Sequence, residues 1–224
     1  MPEQDILDVN VDIVLCIDST GSMSPVIEMV KKSATSFFDE LRDALAEQNR
    51  EIDHLRLKVI SFRDLRTDPK DIAVQESRFF ELPEENEEFQ AFVRDIRATG
   101  GGDAPETALD IIAHAMRSDW NTEGVKKRHV IMLWTDAPTC PPTGGCGVLQ
   151  GLPSDLDGIW AMWQDEQNAV MNQSAKRLVL FVPRDESWDF ATSLENCTVS
   201  NTGLNEGMSD IDMSVVMTFL SKSI

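Results

Sequence analysis

The chain has 224 residues, a length that α/β folds commonly enclose in one domain. Its hydrophobic content of 42%, with 12 glycines and 10 prolines, is ordinary for a globular protein and argues against disorder. Acidic residues number 39 against 20 basic ones, a formal charge of -19 that repels nucleic acid and anionic lipid, because both are bound by basic patches. We therefore expect neither a nucleic-acid nor a membrane partner.

The beginning of the chain does not resemble a targeting segment. Residues 1–11 carry Glu3, Asp5 and Asp8, whereas a secretion signal has basic residues before an apolar core. No stretch approaches the roughly 20 apolar residues of a membrane span. The four cysteines lack a zinc-binding spacing, although Cys140 and Cys146 could form a disulfide under oxidation. We expect a cytoplasmic protein with reduced thiols.

The first half of the chain alternates between strand and helix patterns. Residues 11–17 form a nearly continuous apolar run, typical of a strand buried on both faces. Residues 26–48 have apolar side chains at helical spacing, after Ser24 and Pro25 in positions that begin a helix. The elements predicted next are a strand at 55–62, an edge strand at 72–82 and an amphipathic helix at 84–97.

The second half continues this alternation. The predicted elements are a helix at 107–118, a strand at 129–134, a long loop at 137–153, a helix at 155–174, strands at 177–182 and 197–201, and a helix at 210–221. This order predicts an α/β fold, a doubly wound and mostly parallel central sheet flanked by helices, in one domain over residues 1–224. Ligands of such sheets bind at the C-terminal ends of the strands.

The loop after the first predicted strand reads Asp18-Ser19-Thr20-Gly21-Ser22. Residues at positions i, i+2 and i+4 of a tight turn can project toward one point. Asp18, Thr20 and Ser22 would then offer a carboxylate and two hydroxyls, and hard cations such as Mg²⁺ prefer oxygen ligands. The alternative is that Asp18 is only a turn or helix-cap residue.

Two further polar loops are also acidic. Asp103 and Glu106 follow a run of glycines, and Asp136 follows the strand at 129–134. Three such loops indicate one cation site at this edge of the sheet. Each carboxylate also has a structural alternative, since Asp103 could cap the next helix and Asp136 could begin the Asp-Ala-Pro turn.

These residues resemble a known family. Asp18-Ser19-Thr20-Gly21-Ser22, between a strand and a long helix, is similar to the first metal-ion-dependent adhesion motif of von Willebrand factor A (VWA) domains, with Thr20 replacing the commoner serine. Thr135-Asp136 resembles the third metal loop of that family. The resemblance implies a Rossmann-like fold and a cation, Mg²⁺ with Mn²⁺ or Ca²⁺ as alternatives. The ligands that it implies are Asp18, Thr20, Ser22, Glu106 and Asp136.

The second loop departs from the plainest form of the family. Asp103-Ala104-Pro105-Glu106 instead resembles the Asp-x-Pro-Glu loop of the VWA-type domains found in integrin β subunits, which implies that Glu106 completes the first site. A neighbouring cation site is implied as well, and its ligands would be Asp64, Asp103, the Pro105 carbonyl and Glu106. Alternatively, Asp64 pairs with Arg63, Arg66 or Arg97. A third integrin-type site is not expected, because Pro25-Val26 stands where paired aspartates would be needed.

The resemblance implies a cation-dependent protein-interaction module. A partner protein would present an Asp or Glu that replaces a water on the cation, and the loop at 137–153 would set specificity. A regulatory or scaffold protein with a structural cation is the first alternative. A Mg²⁺-dependent phosphohydrolase is the second, but such enzymes need a second carboxylate where this chain has Thr20. We therefore predict that the protein is not an enzyme.

Overall fold

The computed structural model describes residues 9–101, 105–140, 149, 151–153, 155–165, 171–202 and 213–224. Its strands are β1 (Val9–Asp18), β2 (His54–Phe62), β3 (Val74–Glu76), β4 (Phe80–Leu82), β5 (Lys126–Trp134), β6 (Lys176–Pro183) and β7 (Cys197–Thr202). Its α-helices are α1 (Ser24–Ser33), α2 (Phe37–Ala46), α3 (Lys70–Ala73), α4 (Asn86–Asp95), α5 (Ala108–Met116), α6 (Leu156–Gln164) and α7 (Met213–Ser223). Two 3₁₀ segments lie at Gly21–Met23 and Glu186–Ser193.

Within the described residues, the seven strands form one sheet in the order β3-β2-β1-β5-β6-β7, and β4 also pairs with β2. Strands β2, β1, β5, β6 and β7 run parallel, while β3 and β4 are antiparallel to β2. Strand β1 lies between β2 and β5, so its C-terminal end reaches the middle of one sheet edge. The predicted α/β architecture, with a mostly parallel sheet flanked by helices, is confirmed.

Both faces of the sheet are buried, which explains the apolar run in β1. Ile13 and Leu15 face a core that includes side chains of α1, α2, α4 and α7. Val14 and Cys16 face a second core formed with α5 and α6. Because successive side chains of a strand point to opposite faces, a strand covered on both sides needs apolar residues at nearly every position.

The single helix predicted at 26–48 is wrong, because the segment forms two helices, α1 and α2, with a turn between them. In that turn Ser36 has φ -111° and ψ 0°, outside the helical region. Its hydroxyl lies 2.6 Å from Oε1 of Glu40 and 3.4 Å from the Ser33 carbonyl. Serine hydroxyls compete with helical backbone bonds in this way. The apolar spacing continues across the break because Phe37 still enters the same core.

The edge strand predicted at 72–82 is divided in the structure. Residues 70–73 are helical, and two short strands, β3 and β4, follow on the same side of β2. Between them, the Ser77 hydroxyl accepts a hydrogen bond from the Val59 amide at 2.9 Å, and the Ser77 amide donates to the Val59 carbonyl. A side chain therefore replaces part of the ladder at the middle of β2.

The helix predicted at 155–174 is shorter than expected, since α6 ends at Gln164 and Asp165 has an extended ψ of 110°. The Gln173 amide nitrogen donates to the carbonyls of Trp163 and Asp165, and the Lys176 ammonium also contacts the Trp163 carbonyl. These groups satisfy carbonyls that a continuing helix would have bonded.

A buried ion pair lies in the N-terminal half of β1. The Asp12 side chain is 2% exposed, and the Arg56 guanidinium of β2 donates to it at 2.8 and 2.6 Å. The Asn121 amide also donates to Asp12 at 2.6 Å. The bond to Asp12 is the main cause that raises the pKa of Arg56. An acidic residue is tolerated inside this apolar strand because its carboxylate is fully compensated.

Cys16 and Cys140 are buried thiols and Cys197 is a half-buried one, while Cys146 lies outside the described residues. No helix in the part of the chain described here has the length and apolar character needed to cross a bilayer.

Candidate metal centre

Asp18 is the last residue of β1, and its carboxylate is completely buried. Oδ1 accepts a hydrogen bond from the Thr20 amide at 2.9 Å, and Oδ2 accepts one from the Thr135 hydroxyl at 2.7 Å. Parallel pairing places β1 and β5 side by side, with Ile17 opposite Trp134, so the residues that follow are neighbours. Both carboxylate oxygens are therefore held in place from different loops.

The two hydroxyls predicted to face Asp18 do come together. The Oγ1 atom of Thr20 and the Oγ atom of Ser22 are 3.4 Å apart, at the start of the 3₁₀ segment. Thr20 is buried, whereas Ser22 is exposed. The turn thus presents a carboxylate and two hydroxyls between the protein interior and solvent.

The Gly-rich second loop packs directly on this turn. The Thr99 amide donates to the Ser19 carbonyl at 3.0 Å, and the Gly21 amide donates to the Gly100 carbonyl at 3.4 Å. Gly101 has φ +87°, and a Cβ atom there would lie 2.9 Å from the Cβ and Cγ2 atoms of Thr20. Only glycine permits both this backbone conformation and this close approach.

Glu106 is 5% exposed and is held by backbone bonds to the third loop. Its amide donates to the Pro138 carbonyl at 2.8 Å, and its carbonyl accepts from the Cys140 amide at 2.9 Å. Its Oε2 atom is buried and has no hydrogen-bond partner among the described residues. A buried carboxylate oxygen without a donor is costly, and either protonation or a nearby positive group would reduce that cost.

Asp136 follows β5 and is half-buried. The preceding Thr135 amide donates to the Phe181 carbonyl of β6 at 3.1 Å, which fixes the start of this loop. The 3₁₀ segment Glu186–Ser193 supports the same loop, since the Ser187 hydroxyl accepts from the Thr139 amide at 3.1 Å and the Trp188 indole donates to the Ala137 carbonyl at 3.2 Å. This supporting segment was not predicted.

The electrostatics show a shortage of positive charge. Burial raises the pKa of Asp18 to about 6, against the effect of the Thr20 and Thr135 hydrogen bonds, and the charge of Asp136 adds to the rise. Burial, followed by the charges of Asp18 and Asp64, raises the pKa of Glu106 to about 8. Like charges brought together in a buried place favour protonation or a bound cation.

No group of three or more Asp, Glu, His or Cys side chains is assembled for a metal within the described ranges. A cation at Asp18 and Glu106 would therefore also draw on the hydroxyls of Thr20 and Ser22 and on water. Such a donor set is all oxygen, and it suits a hard cation that keeps part of its hydration shell. The buried Oε2 atom of Glu106, which has no hydrogen-bond partner among the described residues, is consistent with such a cation.

The predicted second site has a different arrangement. Asp64 is completely buried, and its Oδ1 atom accepts from Nε of Arg66 at 3.3 Å. The Nη2 atom of Arg66 contacts the Pro105 carbonyl, so an arginine joins two of the predicted ligands. The ion-pair alternative for Asp64 is thus present, with Arg66 among the three arginines considered. Asp103 lies outside the described residues.

Two residues that support the second loop were not predicted. Asp68 accepts a hydrogen bond from the Gly101 amide at 3.2 Å, and the Thr107 hydroxyl accepts from the Leu65 amide at 3.1 Å. Both contacts join the loop after β2 to the Gly-rich loop. The only signal in the sequence was the polar composition of residues 63–68, which does not specify a partner.

Comparison with known proteins identifies the family. The family model of the von Willebrand factor A domain matches residues 12–141, which contain most of β1 and the three loops described above. This chain belongs to the von Willebrand factor A domain family. VWA domains are generally protein-interaction modules. The match ends before α6, so the prediction of one domain over residues 1–224 stays a prediction.

One curated relative of this VWA domain is the α-protein kinase vwkA of Dictyostelium discoideum. The two are 30% identical over 128 residues, which are 57% of this chain and 18% of the kinase. This chain thus spans less than a fifth of that protein's length.

Solved structures resemble the fold at low sequence identity. The pilus adhesin SpaC from Lactobacillus rhamnosus GG, in its open conformation, gives a TM-score of 0.53 at 14% identity, over 95% of this chain and 30% of that one. The von Willebrand factor domain of the type V pili tip protein Mfa5 from Porphyromonas gingivalis gives 0.39 at 17% identity, over 59% and 40%. The SpaC comparison supports the fold alone.

Proposed function

We propose that this VWA domain is a divalent-cation-dependent protein-interaction module. In this proposal Asp18, Thr20, Ser22, Glu106 and Asp136 hold the cation, directly or through water. When bound, the cation supplies an open coordination position for an Asp or Glu of a partner protein. We also propose a cytoplasmic location for the protein.

The observation that carries the proposal is the buried Oε2 atom of Glu106. It has no hydrogen-bond partner in the described part of the chain, and the buried carboxylate of Asp18 acts on the same glutamate by its charge. Asp18 has two hydrogen-bond donors, whereas this oxygen has none among the described residues. A cation would compensate both carboxylates at once.

The exposure of the residues supports binding of a partner at this place. Asp18 and Thr20 are buried beneath the loop, while Ser22 is exposed and Asp136 is half-buried. A cation held by this set would therefore face solvent on the side of Ser22. The hydroxyls add no charge, so a cation held with them keeps attraction for an acidic side chain from outside.

The donor set favours Mg²⁺ over Ca²⁺. Two hydroxyls beside few carboxylates, with water completing the shell, suit an ion that dehydrates reluctantly and takes few protein ligands. Mn²⁺ accepts the same hard oxygen ligands and serves as a spectroscopic probe.

We further propose that the domain has no catalytic activity of its own. A Mg²⁺-dependent phosphohydrolase would need a second carboxylate in the first loop, where Thr20 instead pairs with Ser22 at 3.4 Å. Hydrolysis of a generic phosphate ester in the presence of Mg²⁺ would overturn this part of the proposal.

Calorimetric titration with Mn²⁺ tests the site. We expect the wild-type chain to bind Mn²⁺ and Asp18→Asn to show no binding at millimolar Mn²⁺, because the amide keeps the shape but loses the charge. Asp39→Asn is the matched control, since its carboxylate on α2 is 64% exposed and the charge change is the same. Equal binding by Asp18→Asn and Asp39→Asn would overturn the proposal.

A second experiment separates an interaction module from a scaffold with a structural cation. Partners are captured from a lysate with wild-type and Asp18→Asn protein, with and without EDTA, while thermal stability is recorded in parallel. Loss of specific partners with little change in melting temperature supports the module. Retained partners together with a large drop in melting temperature support the structural alternative.

A further inference from the structure

Arg66 lies between the loop after β2 and the loop that carries Glu106. Its Nε atom is 3.3 Å from Oδ1 of Asp64, and its Nη2 atom donates to the Pro105 carbonyl. The Arg66 amide also donates to Oδ1 of Asp64, at 3.0 Å. One side chain therefore joins a carboxylate to the peptide that immediately precedes Glu106.

The buried carboxylate of Asp64 needs a neighbouring positive charge to offset the cost of its burial. Its side chain is completely buried, while that of Arg66 is 34% exposed. The remaining oxygen, Oδ2, accepts from the Thr67 hydroxyl at 3.0 Å. Removing the partner of a buried charge is strongly destabilising, so the guanidinium is the group that makes this buried carboxylate tolerable.

The guanidinium uses the oxygens that a second cation would need. A divalent ion beside Glu106 would draw on the Asp64 carboxylate and the Pro105 carbonyl, and Arg66 already contacts both. Its charge also acts on the glutamate. Burial and the charges of Asp18 and Asp64 raise the pKa of Glu106, and Arg66 opposes that rise. The fixed positive charge of the Arg66 guanidinium, in contact with the same oxygens, repels a further cation.

We propose that Arg66 takes the place of a second cation, so that this VWA domain binds one divalent cation and keeps an arginine as its permanent neighbour. The inference rests on the proposed function, because it concerns the number of ions held beside Glu106. Asp103 takes no part in it.

The number of Mn²⁺ ions bound by the wild-type chain is the primary test, measured from the electron paramagnetic resonance signal of free Mn²⁺ during titration. One tightly bound ion per chain is expected. Two tightly bound ions would overturn the inference, whereas no bound ion would overturn the proposed function itself. This count needs no variant, so it decides even if a substitution prevents folding.

Arg66→Ala provides the second test. Removing the guanidinium frees Asp64 and the Pro105 carbonyl, and we expect a second, weaker Mn²⁺ to bind and to recover part of the lost thermal stability. Arg97→Ala is the control, because its guanidinium contacts the Arg94 and Ile96 carbonyls and the charge change is the same. The Arg97→Ala variant measures the nonspecific Mn²⁺ binding that results from the formal charge of -19.

The double variant Asp64→Asn with Arg66→Ala isolates the carboxylate. Without the Asp64 charge the second ion is no longer expected, and the count should return to one. A folded Arg66→Ala variant that saturates at one Mn²⁺, and whose stability Mn²⁺ raises no more than that of Arg97→Ala, would overturn the inference.

Discussion

The Thr135 hydroxyl donates a 2.7 Å hydrogen bond to Oδ2 of Asp18, although the two residues are 117 positions apart in the chain. Both side chains are completely buried. The bond connects the loop after β1 to the loop after β5. It also fixes the orientation of the carboxylate that we expect to bind the cation.

Thr135→Val tests this bond with little change of shape. The substitution leaves Oδ2 of Asp18 without its donor and the Ala137 amide without its acceptor, at 3.2 Å from the lost hydroxyl. We expect the free energy of unfolding to fall by about 1–3 kcal/mol in urea titrations. We expect the Mn²⁺ affinity to fall by roughly 10-fold or more, as for other groups that orient a metal ligand.

Thr135→Ser is the control for this substitution, because it keeps the hydroxyl. Its Mn²⁺ affinity should stay within about twofold of the wild-type value if the hydrogen bond is what matters. An equal loss in both variants would show that packing of the threonine methyl group, and not the bond, supports the site.

Gly101→Ala tests the contact between the Gly-rich loop and the first loop. Alanine at φ +87° is strained by about 1–2 kcal/mol, and its Cβ atom would also lie 2.9 Å from Thr20. We expect a loss of stability greater than the strain alone and a weaker Mn²⁺ affinity, because Thr20 must move. Both are measured by urea unfolding and calorimetry.

Gly151→Ala separates strain from collision. Gly151 has a similar φ of +80°, and among the described residues an added Cβ would meet only Nη1 of Arg117 at 3.7 Å, an ordinary contact. We expect the free energy of unfolding to fall by about the strain of 1–2 kcal/mol alone, and the Mn²⁺ affinity to stay unchanged. Comparable effects of the two substitutions on Mn²⁺ binding would contradict the contact described here.

The stability of the metal-free protein is expected to depend on pH through Glu106. Its pKa is raised from 4.5 to about 8 in the folded chain, so the protonated form favours folding. That contribution is fully present below about pH 4.5 and is lost as the pH rises through about 8. Melting temperatures in EDTA should therefore fall between these values, and Glu106→Gln should reduce the fall. If the melting temperature of Glu106→Gln fell by the same amount, the pH dependence would come from other groups.

Asp12→Ala tests the ion pair between β1 and β2 separately from the site. It leaves the half-buried guanidinium of Arg56 without its carboxylate, and we expect a loss of about 3–5 kcal/mol in urea unfolding. The double variant with Arg56→Met should recover part of this loss, because it removes the uncompensated charge. Mn²⁺ affinity measured under conditions where each variant is folded should match the wild-type value. A weaker affinity would show that this end of the sheet influences the metal loops.

Local patterns were sufficient for the parallel strands of the sheet and for the turn at residues 18–22, but not for the edge strand, which is divided. The apolar run of β1 is set by burial on both faces, and Asp18, Thr20 and Ser22 are close because they lie within one turn. Local sequence patterns did not predict the end of a helix where residues outside that helix bond its last carbonyls. The shorter α6 depends on Gln173 and Lys176, which bond its last carbonyls.

The sequence by itself determined the α/β fold and the strand-end loops, since the hydrophobic pattern and turn residues are local properties of the chain. Only the tertiary structure decided which groups compensate the buried carboxylates. Thr135 bonds Asp18, and Arg66, among several nearby arginines, bonds Asp64, while one oxygen of Glu106 is left without a donor among the described residues. These choices depend on the packing of separate loops, because a buried charge is stabilised by whichever donor the fold brings within reach.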